Sequence, residues 1–318
     1  MTATLADRVL AGEALAVARA ISLIEDEAPA GADLVRAVFG KTGRAYLVGV
    51  TGPPGAGKST LVGRLSAGMI GPDVTVGVIA VDPTSPFTGG AVLGDRLRMQ
   101  PHAGGEGVFI RSMATRGHLG GLARATADAA LVLDASGRDI VLIETVGVGQ
   151  DEVDIVGTAD VSVVVLVPGT GDDVQALKAG IMEIADIFVV NKADRDGAGG
   201  LVSAIEATLS LHPYGADEWR PPIVKTVATT GEGVAEVIDA VARFRAHSGP
   251  RLATRRRERS ERRLRELVSE RLMAHLEHQV LASGELASIV DRVSAREIDP
   301  YTAADALVNR AVGDSRRS

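Results

Sequence analysis

Cysteine is absent from the 318-residue chain. The chain therefore forms no disulfide, offers no thiol nucleophile, and has no sulfur ligand for zinc or an iron–sulfur cluster beyond methionine. Aromatic residues make up only 3%, too few for the base-stacking surface that grips single-stranded nucleic acid. No sign of charge dominates: 41 acids against 34 Lys and Arg give a formal charge of −7. That balance argues against a general nucleic-acid binder, so no nucleic-acid partner is expected. Long apolar runs are missing too. The most apolar strand-like stretch, Val161 to Val167, falls far short of the roughly 20 residues that cross a bilayer. Met1 to Leu15 carries Asp7 and Glu13 and no basic stretch leading into an apolar run, so no targeting segment is expected. The expectation is a soluble, cytoplasmic protein without a membrane partner.

What is present is 46% hydrophobic residues and 37 glycines. Aliphatic side chains with that much glycine suit buried parallel strands joined by helices and tight loops. Residues 1–44 read as a helical extension: Leu5, Val9, Ala16, Ile21 and Ile24 fall near helical spacing, and Glu25-Asp26-Glu27-Ala28-Pro29 breaks the run. From Ala45 the pattern changes to short aliphatic runs alternating with glycine-rich loops and helices. The candidate strands are Ala45 to Thr51, Val74 to Val81, Val108 to Arg111, Asp139 to Glu144, Val161 to Val167, Ile187 to Asn191 and Ile223 to Val227. Helix-length stretches such as Leu119 to Leu133 and Asp173 to Ala185 separate most of them. This alternation predicts an α/β fold with a doubly wound, mostly parallel sheet over residues 45–250, ending near Ser248-Gly249-Pro250.

Residues 251–318 differ in composition. They hold 14 Arg and 11 acids, a net +3, leaving −10 on the rest of the chain. Leu264, Leu267, Val268, Leu272, Leu276 and Val280 form a helical stripe, with Glu258–Arg262 and Glu261–Arg265 spaced as i,i+4 pairs elsewhere on the helix. Such a helix needs a surface to pack on, either the main domain or a second subunit. Interleaved acids make Arg255-Arg256-Arg257 a solvated helix face rather than a nucleic-acid patch. His275 and His278 lie one turn apart without a third ligand nearby, and Trp219 reads as a packed loop anchor.

The strongest motif is Gly52-Pro53-Pro54-Gly55-Ala56-Gly57-Lys58-Ser59, a G-x-x-x-x-G-K-[ST] loop between an aliphatic strand and the helix Thr60 to Met69. The residues expected at the phosphates are Gly55, Ala56, Gly57, Lys58, Ser59 and Thr60. Glycines let backbone N–H groups turn inward around phosphate oxygens at a helix N-terminus. Lys58 would neutralise the β- and γ-phosphates and Ser59 would ligate Mg²⁺. Asn191-Lys192-Ala193-Asp194 follows the strand Ile187 to Val190. The Asp194 carboxylate can accept both N1–H and the exocyclic amine of guanine, a donor pair adenine lacks, so GTP and GDP are the expected nucleotides. Asn191 would brace the loop, the Lys192 stem would cover the base, and Ala228 would offer a backbone N–H to the guanine carbonyl. At the γ-phosphate end Glu144 and Gly147 form E-x-x-G where most GTPases have D-x-x-G. Lys58, Glu144 and Gly147 are thus the catalytic candidates, and Ser59, Asp82, Asp95 and Glu144 the candidate metal set for a Mg²⁺ that keeps several waters.

These blocks, with Gly89 to Asp95, Ser112-Met113-Ala114-Thr115-Arg116-Gly117, Glu144 to Gln150 and Asp299 to Ala304, resemble the MeaB/ArgK family of GTPases, the methylmalonyl-CoA mutase-associated group related to human MMAA. The resemblance covers nearly the whole chain, and the E-T-V-G-V-G-Q and S-M-A-T-R-G blocks are its most specific parts. It implies a GTP-hydrolysing homodimer with helical ends, residues 251–318 serving as a dimerisation arm. It also implies a chaperone that binds the mutase, gates loading of its adenosylcobalamin and protects it. A loop that signals nucleotide state to the mutase would match Pro168 to Lys178, with Asp172, Gln175 and Lys178 as its polar residues. Read from the residues alone, Asp172 and Asp173 equally suit a helix cap and Lys178 a plain surface lysine. No residue plainly orients the attacking water and no internal arginine finger can be assigned, so hydrolysis is expected to be slow and partner-stimulated. The rival readings are an ATPase or kinase tied to arginine/ornithine transport, a metal-insertion GTPase, which the six scattered histidines and absent cysteine disfavour, and a targeting GTPase with a Met-rich module.

Overall fold

The computed structural model describes residues 3–82, 107–114, 121–145, 157–169, 181–282 and 284–314. They divide into two compact units, residues 1–253 and 254–318.

The first unit is built on seven parallel strands: β1 Tyr46–Thr51, β2 Val76–Asp82, β3 Val108–Ala114, β4 Ile140–Glu144, β5 Val161–Leu166, β6 Ile187–Asn191 and β7 Ile223–Thr226. Their order across the sheet is β3-β2-β4-β1-β5-β6-β7. Parallel register, such as Val48 opposite Leu142 on one side and Val161 on the other, brings the C-terminal ends of β1, β4 and β5 to one edge. Parallel neighbours require crossovers, and the chain supplies helices for them: α4 Lys58–Met69, α5 Gly121–Ala135, α6 Ile181–Ile184 and α7 Ala198–Leu209. Strand β5 reads Val-Ser-Val-Val-Val-Leu and is buried throughout, as expected of a strand covered on both faces.

Three apolar clusters fill the layers. One joins α4 and the start of the long helix α8 Val234–His275 to the sheet through Leu61, Leu65, Leu142, Val237 and Phe244. A second packs α7 on β5 and β6 through Phe188 and Ile205. The third belongs to the N-terminal lead, α1 Leu5–Leu10, α2 Ala14–Glu25 and α3 Pro29–Val38. Thr4 caps α1 through a reciprocal bond with Asp7, and Pro29 opens α3 at its first turn, where no N–H is needed. Val9, Val17, Ile21 and Val38 are fully buried against Ile79, Met113 and Leu133, each such side chain contributing on the order of 1.5–3 kcal/mol. Polar contacts tie the same surfaces. Arg111 on β3 pairs with Glu25 and donates to Ser22 Oγ at 3.0 Å. The buried Asp134 carboxylate on α5 accepts the backbone N–H groups of Gly43, Arg44 and Ala45, the last at 3.0 Å. The lead is thus a covering layer of the sheet.

In the C-terminal unit, helix α8 continues from the first unit, running without a break through Pro250. It ends in a π-helical turn, Leu276–Val280, followed by α9 Glu285–Ser294 and α10 Pro300–Asp314. Arg310 ties α10 to that turn by donating to Val280 O at 3.1 Å and pairing with Glu285. Asp299 caps α10 by accepting the N–H groups of Tyr301 and Thr302. Leu276, Ala303 and Ala311 are buried, whereas Leu264 is 62% and Val268 55% exposed. Half of the stripe read from the sequence, Leu264, Val268 and Leu272, is open to solvent in a single chain.

Candidate nucleotide site

The C-terminal ends of β1, β4 and β6 and the start of α4 bring the sequence motifs together. Gly52 has φ +139, and a Cβ there would sit 2.0 Å from Val165 O on the neighbouring strand. Gly57 has φ +87, caps α4, and a Cβ there would lie 2.4 Å from Asn191 Nδ2. Both positions need glycine for close approach as well as for backbone conformation.

Lys58 is the first residue of α4 and only 6% exposed. Its Nζ donates to Gly52 O at 2.7 Å and Pro53 O at 3.1 Å, folding the ammonium back over the loop. Ser59 donates its hydroxyl to Glu144 Oε1 at 2.6 Å. Glu144 ends β4 and is 4% exposed. It is held at the mouth of the loop because Thr145 donates its N–H to Val50 O at 3.1 Å and its hydroxyl to Thr51 Oγ1 at 2.9 Å. Asp82 is the last residue of β2, which pairs with β4 through Ala80 and Glu144. The Ser59 hydroxyl and the buried Glu144 carboxylate are hard oxygen donors, the chemistry that fits Mg²⁺. Thr60 lies half-buried in the first turn of α4.

Asn191 ends β6 and is 2% exposed. Its Nδ2 donates to Ala56 O at 2.8 Å, while its Oδ1 accepts from Thr226 Oγ1 at 3.0 Å and from the Ala228 N–H at 3.1 Å. Lys192 adopts φ +55 and donates its Nζ to Gly55 O at 2.7 Å. A turn closed by Arg195 N to Lys192 O follows, leaving Asp194 exposed to solution. The phosphate loop, the N-K-x-D segment and the loop after β7 are therefore one hydrogen-bonded assembly. An assembly of this kind can present phosphate donors at one end and an acceptor carboxylate at the other.

Several expected site residues, Gly147, Asp95, Asp172, Gln175 and Lys178, lie outside the described residues. The sequence assigned no role to Thr51, Thr226 or Arg64, nor to Thr145 beyond its place in the E-T-V-G-V-G-Q block, although the three threonine hydroxyls fix the motif residues. Those roles carry no spacing signal, since each residue acts on a partner distant in sequence. Trp219 is packed, as expected: its indole N–H donates to Asp186 O at 2.7 Å and its ring stands edge-on to Phe244. At the start of β1, burial first, then Asp160 and Asp186, push the Tyr46 phenol far above the usual tyrosine range. Among the described residues no helix is long and apolar enough to cross a membrane.

Comparison with known proteins places this geometry. Over 97% of its length the chain is 51% identical to a Pyrococcus abyssi homologue, of which it covers 96%. It is 37% identical to the GTPase ArgK of Escherichia coli over 86% of each chain. It is 33% identical to the mouse mitochondrial methylmalonic aciduria type A homolog, over 83% of this chain and 65% of that one. Among solved structures, one described as a LAO/AO transport system kinase superposes with a TM-score of 0.72 at 28% identity, covering 96% of this chain and 95% of the other. The fold is thus that of the P-loop GTPases. The family model described as methylmalonyl Co-A mutase-associated GTPase MeaB matches residues 17–280, and the chain belongs to that family of GTPases.

Proposed function

We propose that this GTPase acts as a nucleotide-gated chaperone of methylmalonyl-CoA mutase, controlling loading of adenosylcobalamin and protecting the loaded enzyme. The family's description supports the mutase as partner. The observation that carries the guanine-nucleotide reading is Asn191, which joins the phosphate loop to the loop after β7 with three buried hydrogen bonds. That brace leaves Asp194 exposed at the mouth, where it accepts the guanine N1–H and amine, while Lys192 covers the base. The Ala228 N–H, expected at the guanine carbonyl, is given to Asn191 Oδ1 instead, so the backbone donor toward that carbonyl is assigned to the 227–229 loop as a whole.

At the other end Gly55, Ala56, Gly57 and Thr60 surround the phosphates. Lys58 exchanges its bonds to two neutral carbonyls for ion pairs with the β- and γ-phosphates, whose negative charge adds direct Coulombic attraction. Ser59 and Glu144, with Asp82 and Asp95 as the further candidates, would hold Mg²⁺, which would supply charge neutralisation at the phosphates. Gly147 offers its N–H to the γ-phosphate. Residues 1–44 and 251–318 flank the GTPase domain at 45–250, and the exposed stripe of the arm joins two copies. Asp172, Gln175 and Lys178 pass nucleotide state to the mutase.

Capture of the mutase on the immobilised protein, with a non-hydrolysable GTP analogue and with GDP, tests the partner. A complex whose yield depends on the nucleotide supports the proposal, and equal absence under both conditions rejects the mutase as client. The transport reading is tested by calorimetry: ADP bound as tightly as GDP would favour it.

A further inference from the structure

Arg64 occupies the second turn of α4, seventh in a helix that begins at Lys58. Its neighbours Leu61, Val62 and Leu65 are fully buried, so the helix cannot roll or slide. Gly68 brings α4 close to the start of α8: a Cβ there would stand 2.7 Å from Ile238 Cδ1. From this fixed base the half-buried guanidinium reaches the loop after β7. Nε donates to Ala228 O at 3.3 Å and Nη2 donates to Thr229 O at 2.6 Å. Two successive carbonyls are thereby gripped by one planar fork, a geometry that arginine provides and lysine does not.

The same loop is held from inside by Asn191, whose Oδ1 accepts the Ala228 N–H. The peptide units on either side of the Ala228 Cα are thus fixed, one by Asn191 and the other by Arg64. The loop also closes on itself through Thr230 N to Val227 O at 3.0 Å and Val227 N to Glu232 O at 3.0 Å. Because α4 carries Lys58 and Ser59 at its N-terminus, Arg64 is a second connection, beside Asn191, from the phosphate end of the site to its base end.

We propose that Arg64 is a positioning residue that holds the 227–229 loop over the guanine and sets how long a guanine nucleotide stays bound. The proposal rests on the guanine reading above. Arg64 touches no reacting atom, and its effect is specific to the base contacted by the loop. Removing it loosens a loop that recognises a 6-oxo purine and leaves adenine nucleotides, which lack that carbonyl, unaffected.

The test is release of a fluorescent GDP by stopped flow, with GDP and ADP affinities by calorimetry, on wild type, Arg64→Ala and Arg64→Lys. Arg64→Ala is expected to release GDP about tenfold faster with ADP affinity at the wild-type value. Arg64→Lys, able to reach one carbonyl at a time, is expected to release GDP about threefold faster, and it carries the test should the alanine variant not fold. Wild-type GDP release and base preference in both variants overturn the Arg64 proposal alone. So does a lowered melting temperature with no change in base preference, the result of a merely structural contact. Wild-type protein that does not prefer GDP over ADP overturns the guanine reading beneath it.

Discussion

Asn191 Nδ2 lies 2.8 Å from the Ala56 carbonyl oxygen, so the residue that opens the N-K-x-D segment is bonded directly to the phosphate loop. These two motifs are separated by well over a hundred residues in sequence, yet neither has an independent position in space. The loop after β7 is bound to the same side chain, so one buried amide joins the phosphate loop to the base loop from within.

Asn191→Ala is therefore expected to lower both stability and nucleotide affinity. It strands the Ala56 carbonyl, the Thr226 hydroxyl and the Ala228 N–H in a buried setting, at about 1–3 kcal/mol for each group left unpaired. Urea unfolding and GDP calorimetry measure the two losses. Loss of stability with unchanged GDP affinity would show that the brace does not set base recognition.

Lys58→Ala is expected to abolish tight nucleotide binding while leaving self-association unchanged. The ammonium sits among loop carbonyls, far in sequence from the exposed stripe at Leu264, Val268 and Leu272 on α8. Calorimetry and analytical ultracentrifugation report the two properties separately. A variant that loses both places the subunit interface at the nucleotide site rather than on the helical arm.

Asp134→Ala is expected to destabilise the first unit by about 3 kcal/mol or more, since the carboxylate receives three backbone N–H groups and hydrogen bonds to a charged acceptor contribute about 1.5–3 kcal/mol each. Its bonds lie at the start of β1, at the opposite end of the strand from the phosphate loop, so GDP affinity of the folded variant should match wild type. Thermal unfolding with parallel GDP titration checks both halves, and a stability change below about 1 kcal/mol would contradict the account.

Alkaline pH is expected to weaken the fold through Tyr46. Burial holds the phenol neutral and raises its folded pKa above the unfolded value. The folded state then binds more protons than the unfolded state above about pH 10, and stability falls as pH rises from there. Below that pH the contribution is fully present. Denaturant unfolding between pH 8 and 11 should show a steeper alkaline loss in wild type than in Tyr46→Phe, and identical slopes would contradict the assigned burial.

Much of the fold was legible because burial on both faces writes strands as continuous aliphatic runs. Ile187 to Asn191 was read with its observed bounds, and β1, β4 and β5 within one residue. Strand β3 was read short because Arg111 and Ser112 break its apolar run, whereas pairing to β2 carries it to Ala114. The strand order was not legible, since it depends on pairings such as Val78 with Leu142 that no local pattern encodes. Pro250 read as a boundary, because proline removes a helical N–H; helix α8 nevertheless continues through it. Of the site, the glycines, Lys58, Ser59, Glu144 and Asn191 were legible because fixed spacing carries their chemistry. The roles of Arg64 and Thr145 were not, because they act on backbone or hydroxyl groups brought near only by the folded sheet.

The most direct test of the account is the steady-state rate of GTP hydrolysis, measured with the protein alone and with methylmalonyl-CoA mutase added. Turnover alone is expected to be slow, raised at least about tenfold by the mutase as partner-supplied groups complete the site, with no such effect of an unrelated protein. A rate that is the same with and without the mutase would contradict it.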